Sequence, residues 1–341
     1  MCKPDPIMTS PVRISYLLLA VLLGLAAWLH MGAFLLAAFF GYLVLETACI
    51  RGRKTLAVLL YLLVIALLGA GLIYFSGLAY RTLPKIAATS IPAMASFAQK
   101  NGIDLPFSDF ESLKDAALDS AEKGLATLGL FARVASFQFV LLLAGLVVAA
   151  SVFFNPSWTV SRISHAPSVE NLYTATTREL SARVRLLYRS FARVIGAQLI
   201  ISVINTVLTA IFLLSLGFPY AVLLMVLVLL CGLMPIVGNL MSNAVIVGVA
   251  FTISPRMGLI ALIFLVAIHK LEYFLNSKIV GQRIDSPMWL TLIGLIVGEK
   301  LMGISGMILA PVLLHYIKIE SSAYPRQAYP RQDELLPPSG S

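Results

Sequence analysis

The sequence predicts an all-α membrane protein that crosses the bilayer several times, and three observations support this fold class. First, 59% of the 341 residues are hydrophobic and only 12% are charged, with a mean hydropathy of +0.92. Second, apolar runs recur along nearly the whole chain, and many approach the roughly 20 helical residues that cross about 30 Å of hydrocarbon. Third, the charged residues lie mainly in short segments between these runs. We expect about seven to eight transmembrane helices, with interrupted or re-entrant helices near the C-terminus.

Charge and cysteine content exclude several other classes of protein. The net charge is +9, but the basic residues lie between apolar runs, where they determine orientation in the membrane; we therefore expect no nucleic-acid partner. Cys2, Cys49 and Cys231 show no CxxC spacing, so neither a disulfide framework nor a thiolate metal site is predicted. The sequence contains no phosphate-binding loop, HExxH or GxSxG pattern. We expect no metal, no cofactor and no enzymatic activity.

Residues 1–80 are predicted to form a cytoplasmic N-terminal tail and three spans. The apolar block from residue 14 to residue 50 would make a helix of about 55 Å, too long for one span, so we expect a turn near His30–Gly32. The basic segment at 51–54 then marks the cytoplasmic side. A third span is predicted from about Thr55 to Ala79.

Residues 81–133 are predicted to form an external helical insert. Acidic residues balance the basic ones here, so the segment has no positive-inside signal. Ser108 and Glu111 have the spacing of a helix capping box, and an apolar stripe predicts an amphipathic helix. The stripe comprises Phe110, Leu113, Ala117, Ala121, Leu125 and Leu128. A fourth span is expected over 134–155.

Residues 156–193 form the most basic interval and are predicted to be cytoplasmic. On a helical wheel of about 100° per residue, one side is apolar and the opposite side is basic. The apolar side comprises Leu180, Val184, Leu187 and Phe191, and the basic side comprises Arg178, Arg185, Arg189 and Arg193. Two interpretations remain open: the helix packs on the bundle with its arginines in water, or the arginines bind anionic lipid.

Residues 194–318 are interpreted as the transport core. Spans are expected at 194–216, 219–233, 237–253 and 257–275. The stretch 288–317 would be about 45 Å long as one helix, and basic residues flank it on what we take as the same side, so we expect two half-length helices that enter and return. Helix-breaking positions are predicted at Pro235, Gly238, Gly298, Gly303, Gly306 and Pro311. The tail at 319–341, with its AYPRQ repeat, is predicted to be disordered.

Glu299 and Lys300 are the first candidate site residues, because charges within an apolar run are costly and often mark a transport path. The alternative is that re-entrant geometry lifts both to the membrane surface, where they anchor a loop. Adjacent residues on a helix point about 100° apart, so the two charges need not pair with each other.

Three polar stripes at helical spacing supply further candidates. The first comprises Gln198, Ser202 and Asn205, the second Asn239 and Asn243, and the third His269, Glu272 and Asn276. The first two stripes fit hydrogen bonding between helices better than a path. For His269 and Glu272, a proton-relay role and ordinary solvation at the membrane surface are both open.

Three segments of the chain resemble the autoinducer-2 exporter-like (AI-2E) family of bacterial permeases: MPIVGN at 234–239, LEYFLNSKIVGQRI at 271–284 and the stretch 287–318. The resemblance places the family's proline-glycine turn at Pro235 and Gly238, its acidic position at Glu272, and its glycine-rich break at Gly303, Gly306 and Pro311. It implies a multi-pass inner-membrane permease that self-associates. Two departures are Ser277, where many members have proline, and the pair Glu299 and Lys300, which is not a general family feature.

These observations lead to one functional hypothesis and two alternatives. The leading hypothesis is a permease that exports a small polar solute along a path lined by the interrupted helices at 234–243 and 288–311. The first alternative is a sodium/proton antiporter that uses the same residues. The second is a membrane scaffold that transports nothing. The expected partners are the lipid bilayer, the solute or cation, and further copies of the chain.

Overall fold

The computed structural model describes residues 10–49, 52–100, 125–155, 171–234, 237–279 and 288–322. Nine helices account for almost all of these residues, and no strand occurs among them. The helices are α1 (Ser10–Trp28), α2 (Gly32–Ala48), α3 (Lys54–Lys100), α4 (Leu125–Phe154), α5 (Leu172–Ser215), α6 (Ala221–Cys231), α7 (Val237–Ile253), α8 (Pro255–Ile279) and α9 (Met288–Ser322).

The predicted fold class is confirmed: the chain is an all-α, multi-pass membrane protein. Five of the helical segments in the described part of the chain are long and apolar enough to cross a membrane. They are Ser10–Trp28, Lys54–Thr82, Ser136–Phe154, Leu172–Ser215 and Trp289–Ser322. Three shorter apolar helices accompany them, at Gly32–Ala48, Ala221–Cys231 and Gly238–Ile253.

Helix α5 is the central support of the fold, since two hydrophobic clusters form along it. In the first cluster, Leu187 and Phe191 of α5 pack with Leu19 of α1 and with Val312 and Tyr316 of α9. In the second, the far end of α5 packs with α6, α7 and α8. The helix begins at the cap residue Asn171, whose side chain accepts a hydrogen bond from the Thr174 amide. At 1.5 Å per residue, its 44 residues extend about 66 Å.

The predicted amphipathic pattern of the Arg-rich segment is present in the first half of α5. Leu187 and Phe191 are buried, Leu180 and Val184 are half-buried, and all four arginines of the basic side are exposed. The segment does not end at residue 193 as the sequence suggested, because the helix continues without a break into the next span. The sequence changes there from basic to apolar, but the backbone remains helical.

The N-terminal hairpin has its turn where it was expected, at residues 29–31, with His30 at φ 51°. The third helix is longer than the predicted span: α3 runs on to Lys100, so residues 81–100 continue the helix beyond the apolar segment that ends at Thr82. Helix α4 likewise begins at Leu125, before the predicted start of the fourth span. The predicted capping box and residues 110–121 of the apolar stripe lie outside the described residues, as does the tail after Ser322.

Small residues allow α2 and α4 to pack very closely. A Cβ added at Gly145 of α4 would overlap the carbonyl oxygen of Phe34 and would lie 2.9 Å from the Cβ of Ala37. One turn further along, a Cβ at Gly41 would lie 2.9 Å from the Cβ of Ala149. In lipid, association of this kind depends on van der Waals contact rather than on the hydrophobic effect.

Helices α6 and α7 form a short antiparallel hairpin rather than two full spans. The 11 residues of α6 rise about 16 Å, roughly half the hydrocarbon thickness, so the predicted span at 219–233 is wrong. A Cβ at Gly238 of α7 would overlap the carbonyl group of Cys231 at the end of α6, so the backbones meet at this tip. Pro235 lies outside the described residues.

Helix α9 is folded back on itself as a hairpin. Its one non-helical residue is Gly303, at φ 62° and ψ −143°, a conformation that is essentially restricted to glycine. On either side, a Cβ at Gly298 would lie 2.7 Å from the carbonyl carbon of Gly306, and one at Gly294 would lie 3.1 Å from a Leu314 methyl group. Residues so far apart in sequence meet only if the two halves run antiparallel.

The helix-breaking residues proposed for this stretch therefore have different structural roles. The backbone breaks at Gly303, while Gly298 and Gly306 lie within helix and allow the two halves to touch. Pro311 lies inside the second half of α9 and does not interrupt it, contrary to the prediction. A proline lacks one donor, and helices in membranes tolerate it where neighbouring groups compensate.

We expect Gly298→Ala to destabilise the α9 hairpin while Gly294→Ala does not. The new methyl group at 298 meets the backbone of Gly306, whereas the one at 294 meets only the flexible end of Leu314. Overpacking against an immovable group typically costs about 1–3 kcal/mol. Thermal unfolding of both variants in the same detergent checks this. Equal melting temperatures for the two variants would contradict the packing described here.

Candidate functional site

At the tip of the α6–α7 hairpin, helix backbone ends against the neighbouring helix α5. The last carbonyl groups of a helix lack partners within that helix, and in a membrane each unpaired group is costly. Here the Gly232, Leu233 and Met234 amides donate to the carbonyls of Val228, Leu230 and Cys231. Among the described backbone amides of the tip, these donors do not reach the carbonyls of Leu229 and Gly232.

Helix α5 supplies the two missing donors. The Gln198 side chain donates to the Gly232 carbonyl at 2.6 Å, and the Ser202 hydroxyl donates to the Leu229 carbonyl at 2.8 Å. The first polar stripe therefore forms hydrogen bonds between helices, as interpreted from sequence, but its partners are backbone groups at a helix end. Together these contacts hold the tip against the middle of α5.

Beside this tip, a carboxylate of α8 meets an amide of α7. The Asn239 side chain donates to Glu272 Oε2, and both residues are buried. Asn239 lies in the first turn of α7, where the positive end of the helix dipole favours an anion. The His269 Nδ1 is 3.9 Å from the same carboxylate oxygen, but 68% of its side chain is exposed. Glu272 is thus a buried carboxylate beside the hairpin tip.

Further buried polar groups line the same face of α5. Asn205 is 3% exposed and Thr209 is 2% exposed. Within the described structure the Asn205 side-chain oxygen has no hydrogen-bond partner. On α7, Ser242 is buried and donates to the Asn239 carbonyl at 3.2 Å. Asn243 is half-buried one turn beyond Asn239. The Asn276 side chain lies outside what the structure describes.

Glu299 and Lys300 lie near the tip of the α9 hairpin and are not part of this group. They form an ion pair with each other, in which Lys300 Nζ lies 3.3 Å from Glu299 Oε2. The Lys300 side chain is 78% exposed and the Glu299 side chain is 45% exposed. The tip of the α9 hairpin packs on the α1–α2 turn. A Cβ added at Gly32 would lie 2.6 Å from the Cβ of Ser305. Helix α9 packs mainly on α5, α2 and α1. The candidate charges therefore divide between two locations.

A third group of charges, which the sequence analysis did not identify, connects α1, α5 and α9. Arg183 is 5% exposed and pairs with Glu179 at 2.8 Å and with Glu320 at 3.6 Å. The Tyr16 ring lies 4.0 Å from the arginine carbon Cζ, and its hydroxyl donates to Glu320 at 2.6 Å. The only local signal is that Arg183 falls near the apolar side of the helical wheel, four residues after Glu179.

His315 is a second residue that sequence reasoning missed. It is 2% exposed in the second half of α9, and its Nδ1 has no hydrogen-bond partner among the described residues. No periodic pattern marks it, since the neighbouring positions are apolar. Its burial follows from the packing of α9 on α5.

The chemistry available at the α6–α7 tip is that of hydrogen bonding and proton binding. A carboxylate accepts hydrogen bonds from hydroxyl, amine or cationic groups, and it can also take up a proton. The described residues contain no group of three His, Cys, Asp or Glu side chains that could hold a metal ion. Cys49 and Cys231 are free thiols.

Comparison with known proteins identifies the family of the chain. Residues 14–326 match the family described as AI-2E family transporter. A Bacillus subtilis (strain 168) protein, YdbI, whose name describes it as a candidate transport protein, is 32% identical over 134 residues. That alignment spans 38% of this chain and 38% of YdbI. With nearly its whole length matched, the chain belongs to the AI-2E family of membrane transporters.

Proposed function

We propose that this transporter exports a small polar solute across the bacterial inner membrane, with its N-terminus in the cytoplasm. The observation that carries the proposal is the buried pair of Glu272 and Asn239 at the tip of the α6–α7 hairpin. Burying a carboxylate among apolar helices is expensive, and the cost is commonly accepted where a substrate or ion passes. Discontinuous helices supply such sites in many transporters.

The two interrupted regions have different roles in this proposal. The region 234–243 contributes Asn239, which forms one hydrogen-bonded pair with Glu272 of α8, and this pair presents the acceptor and donor atoms of the binding group. Residues 288–311 form a hairpin whose exposed ion pair, Glu299 and Lys300, faces away from the packed helices. We assign that pair to the wall of the path or to a contact with another copy of the chain, where two opposite charges stay hydrated.

A sodium/proton antiporter is the second candidate, and one observation favours it. Glu272 is buried, and among the described residues its basic partner is the exposed imidazole of His269, so proton and cation could compete for the same carboxylate. The two functions are separated in proteoliposomes that contain a pH-sensitive dye. A sodium pulse without organic solute changes the internal pH for an antiporter and leaves it unchanged for a solute exporter.

We expect Glu272→Gln to abolish most of the transport. Inside-out vesicles from cells that overproduce the chain are incubated with a mixed pool of polar metabolites, and mass spectrometry identifies the solutes that accumulate. Glutamine keeps the size of the side chain and an acceptor for Asn239, so the fold is retained. Loss of a hydrogen bond to a charged group, about 1.5–3 kcal/mol, lowers uptake at least tenfold. Unchanged uptake in a folded Glu272→Gln protein contradicts the assignment.

At the α9 tip, we expect the charge balance to matter more than the identity of either residue. Glu299→Gln leaves Lys300 without its partner and is expected to lower uptake in the same vesicles by about threefold, on the scale of an exposed ion pair. The exchanged variant, Glu299→Lys with Lys300→Glu, keeps the pair and is expected to restore uptake. If the exchanged variant shows the same loss of uptake as Glu299→Gln, the ion pair is not what matters, and Glu299 itself has a specific role.

A further inference from the structure

Helix α5 borders a cleft that the transport proposal does not use. The cleft has a volume of about 510 Å³ and lies between the first half of α5 and the end of α9. Its lining includes Arg183, Arg185, Arg189, Glu179 and Glu320. We refer to it as the arginine cleft.

The inner wall of the arginine cleft contains one buried arginine and two carboxylates that pair with it. Glu179 and Glu320 both pair with the buried Arg183, and Tyr16 adds a ring contact and a hydrogen bond. Arginine stays protonated in proteins, so its charge is permanent and both carboxylates are engaged. These acidic groups consequently offer little to a cation from outside.

The rim of the cleft, in contrast, has an excess of positive charge. Arg185 and Arg189 are exposed and one helical turn apart, and neither forms an ion pair with an acidic side chain in the described part of the chain. Arg193 follows one turn later and is also exposed. Residues four apart on a helix lie about 6 Å apart, so two guanidinium groups can converge on one anion. Arginine forks fit phosphate oxygens in particular.

Helix α1, which contacts the inner wall through Tyr16, has an exposed apolar surface. Leu17 and Leu18, which follow Tyr16 in the sequence, are 66% and 42% exposed. A helix with exposed leucines that packs against a helix with exposed arginines is typical of a protein surface at the boundary between acyl chains and headgroups. The leucines can pack against the acyl chains of a lipid, whereas a free phosphate ion has no apolar part to pack there.

We propose that the arginine cleft binds the phosphate headgroup of an anionic membrane lipid. Arg185 and Arg189 hold the phosphate, and the acyl chains lie against the exposed leucines of α1. The inner wall supports the site by fixing α1, α5 and α9 relative to one another. This inference is independent of the transported solute, so its failure would leave the proposed function intact.

The test compares lipid binding by two double variants of the full-length protein. Native mass spectrometry in detergent measures retention of phosphatidylglycerol, with phosphatidylcholine as the zwitterionic reference. We expect Arg185→Gln with Arg189→Gln to weaken phosphatidylglycerol binding on the order of 30-fold, since each basic residue near an anionic surface contributes about fivefold. The matched control, Arg53→Gln with Lys54→Gln, removes the same charge from another exposed basic segment and is expected to change binding less than twofold.

Three results would overturn the proposal. Equal losses in the two double variants would show general attraction of the basic protein to anionic lipid. Equal retention of the two lipids by the unmodified protein would show that the headgroup charge is not recognised. Displacement of phosphatidylglycerol by millimolar inorganic phosphate would assign the cleft to a soluble anion. Arg185→Lys with Arg189→Lys should give intermediate binding, because lysine keeps the charge but loses the fork.

Discussion

The hydrogen bond from Gln198 to the Gly232 carbonyl is the contact on which the α6–α7 hairpin depends. A helix that stops within a membrane leaves carbonyl groups that lipid cannot satisfy. Gln198, together with Ser202, removes this penalty at the end of α6. Because α6 can end there, α7 can begin there, and its first turn brings Asn239 to Glu272. The polar stripe of α5 therefore does more than join two helices. It positions the α7 residue that forms a hydrogen bond with the buried Glu272 carboxylate.

Helix α5 uses different surfaces along its length for the two hairpins. Its first half packs with α1, α2 and α9, and its second half packs with α6, α7 and α8. Close backbone contact occurs in both hairpins, at Gly298 and Gly306 of α9 and at Gly238 of α7. The α6–α7 hairpin in addition receives hydrogen bonds from two side chains of α5.

Much of this architecture could be predicted from hydropathy and charge. Excess length and the placement of basic residues predicted the hairpin at 288–317, and the long first block predicted the turn near His30. Hydropathy did not predict the helix ends where the sequence changes polarity within a continuous helix. This occurs near residue 80 in α3 and near residue 193 in α5. Hydropathy also could not distinguish Gly303 from Pro311 as the break, since that depends on which half packs against a neighbour. The buried Arg183 escaped detection because one of its partners, Glu320, is 137 positions away in the sequence.

The cluster around Arg183 also has a consequence for biogenesis. Tyr16 and Glu320 are separated by 304 residues, so their contact cannot form until nearly all of the described chain has been synthesised. Until then Glu179, in the same helix, can neutralise Arg183. Tyr16 of α1 lacks its contact with Glu320 during that time. Contacts between such distant residues generally form late. The cluster therefore closes only after α1, α5 and the end of α9 have all been synthesised.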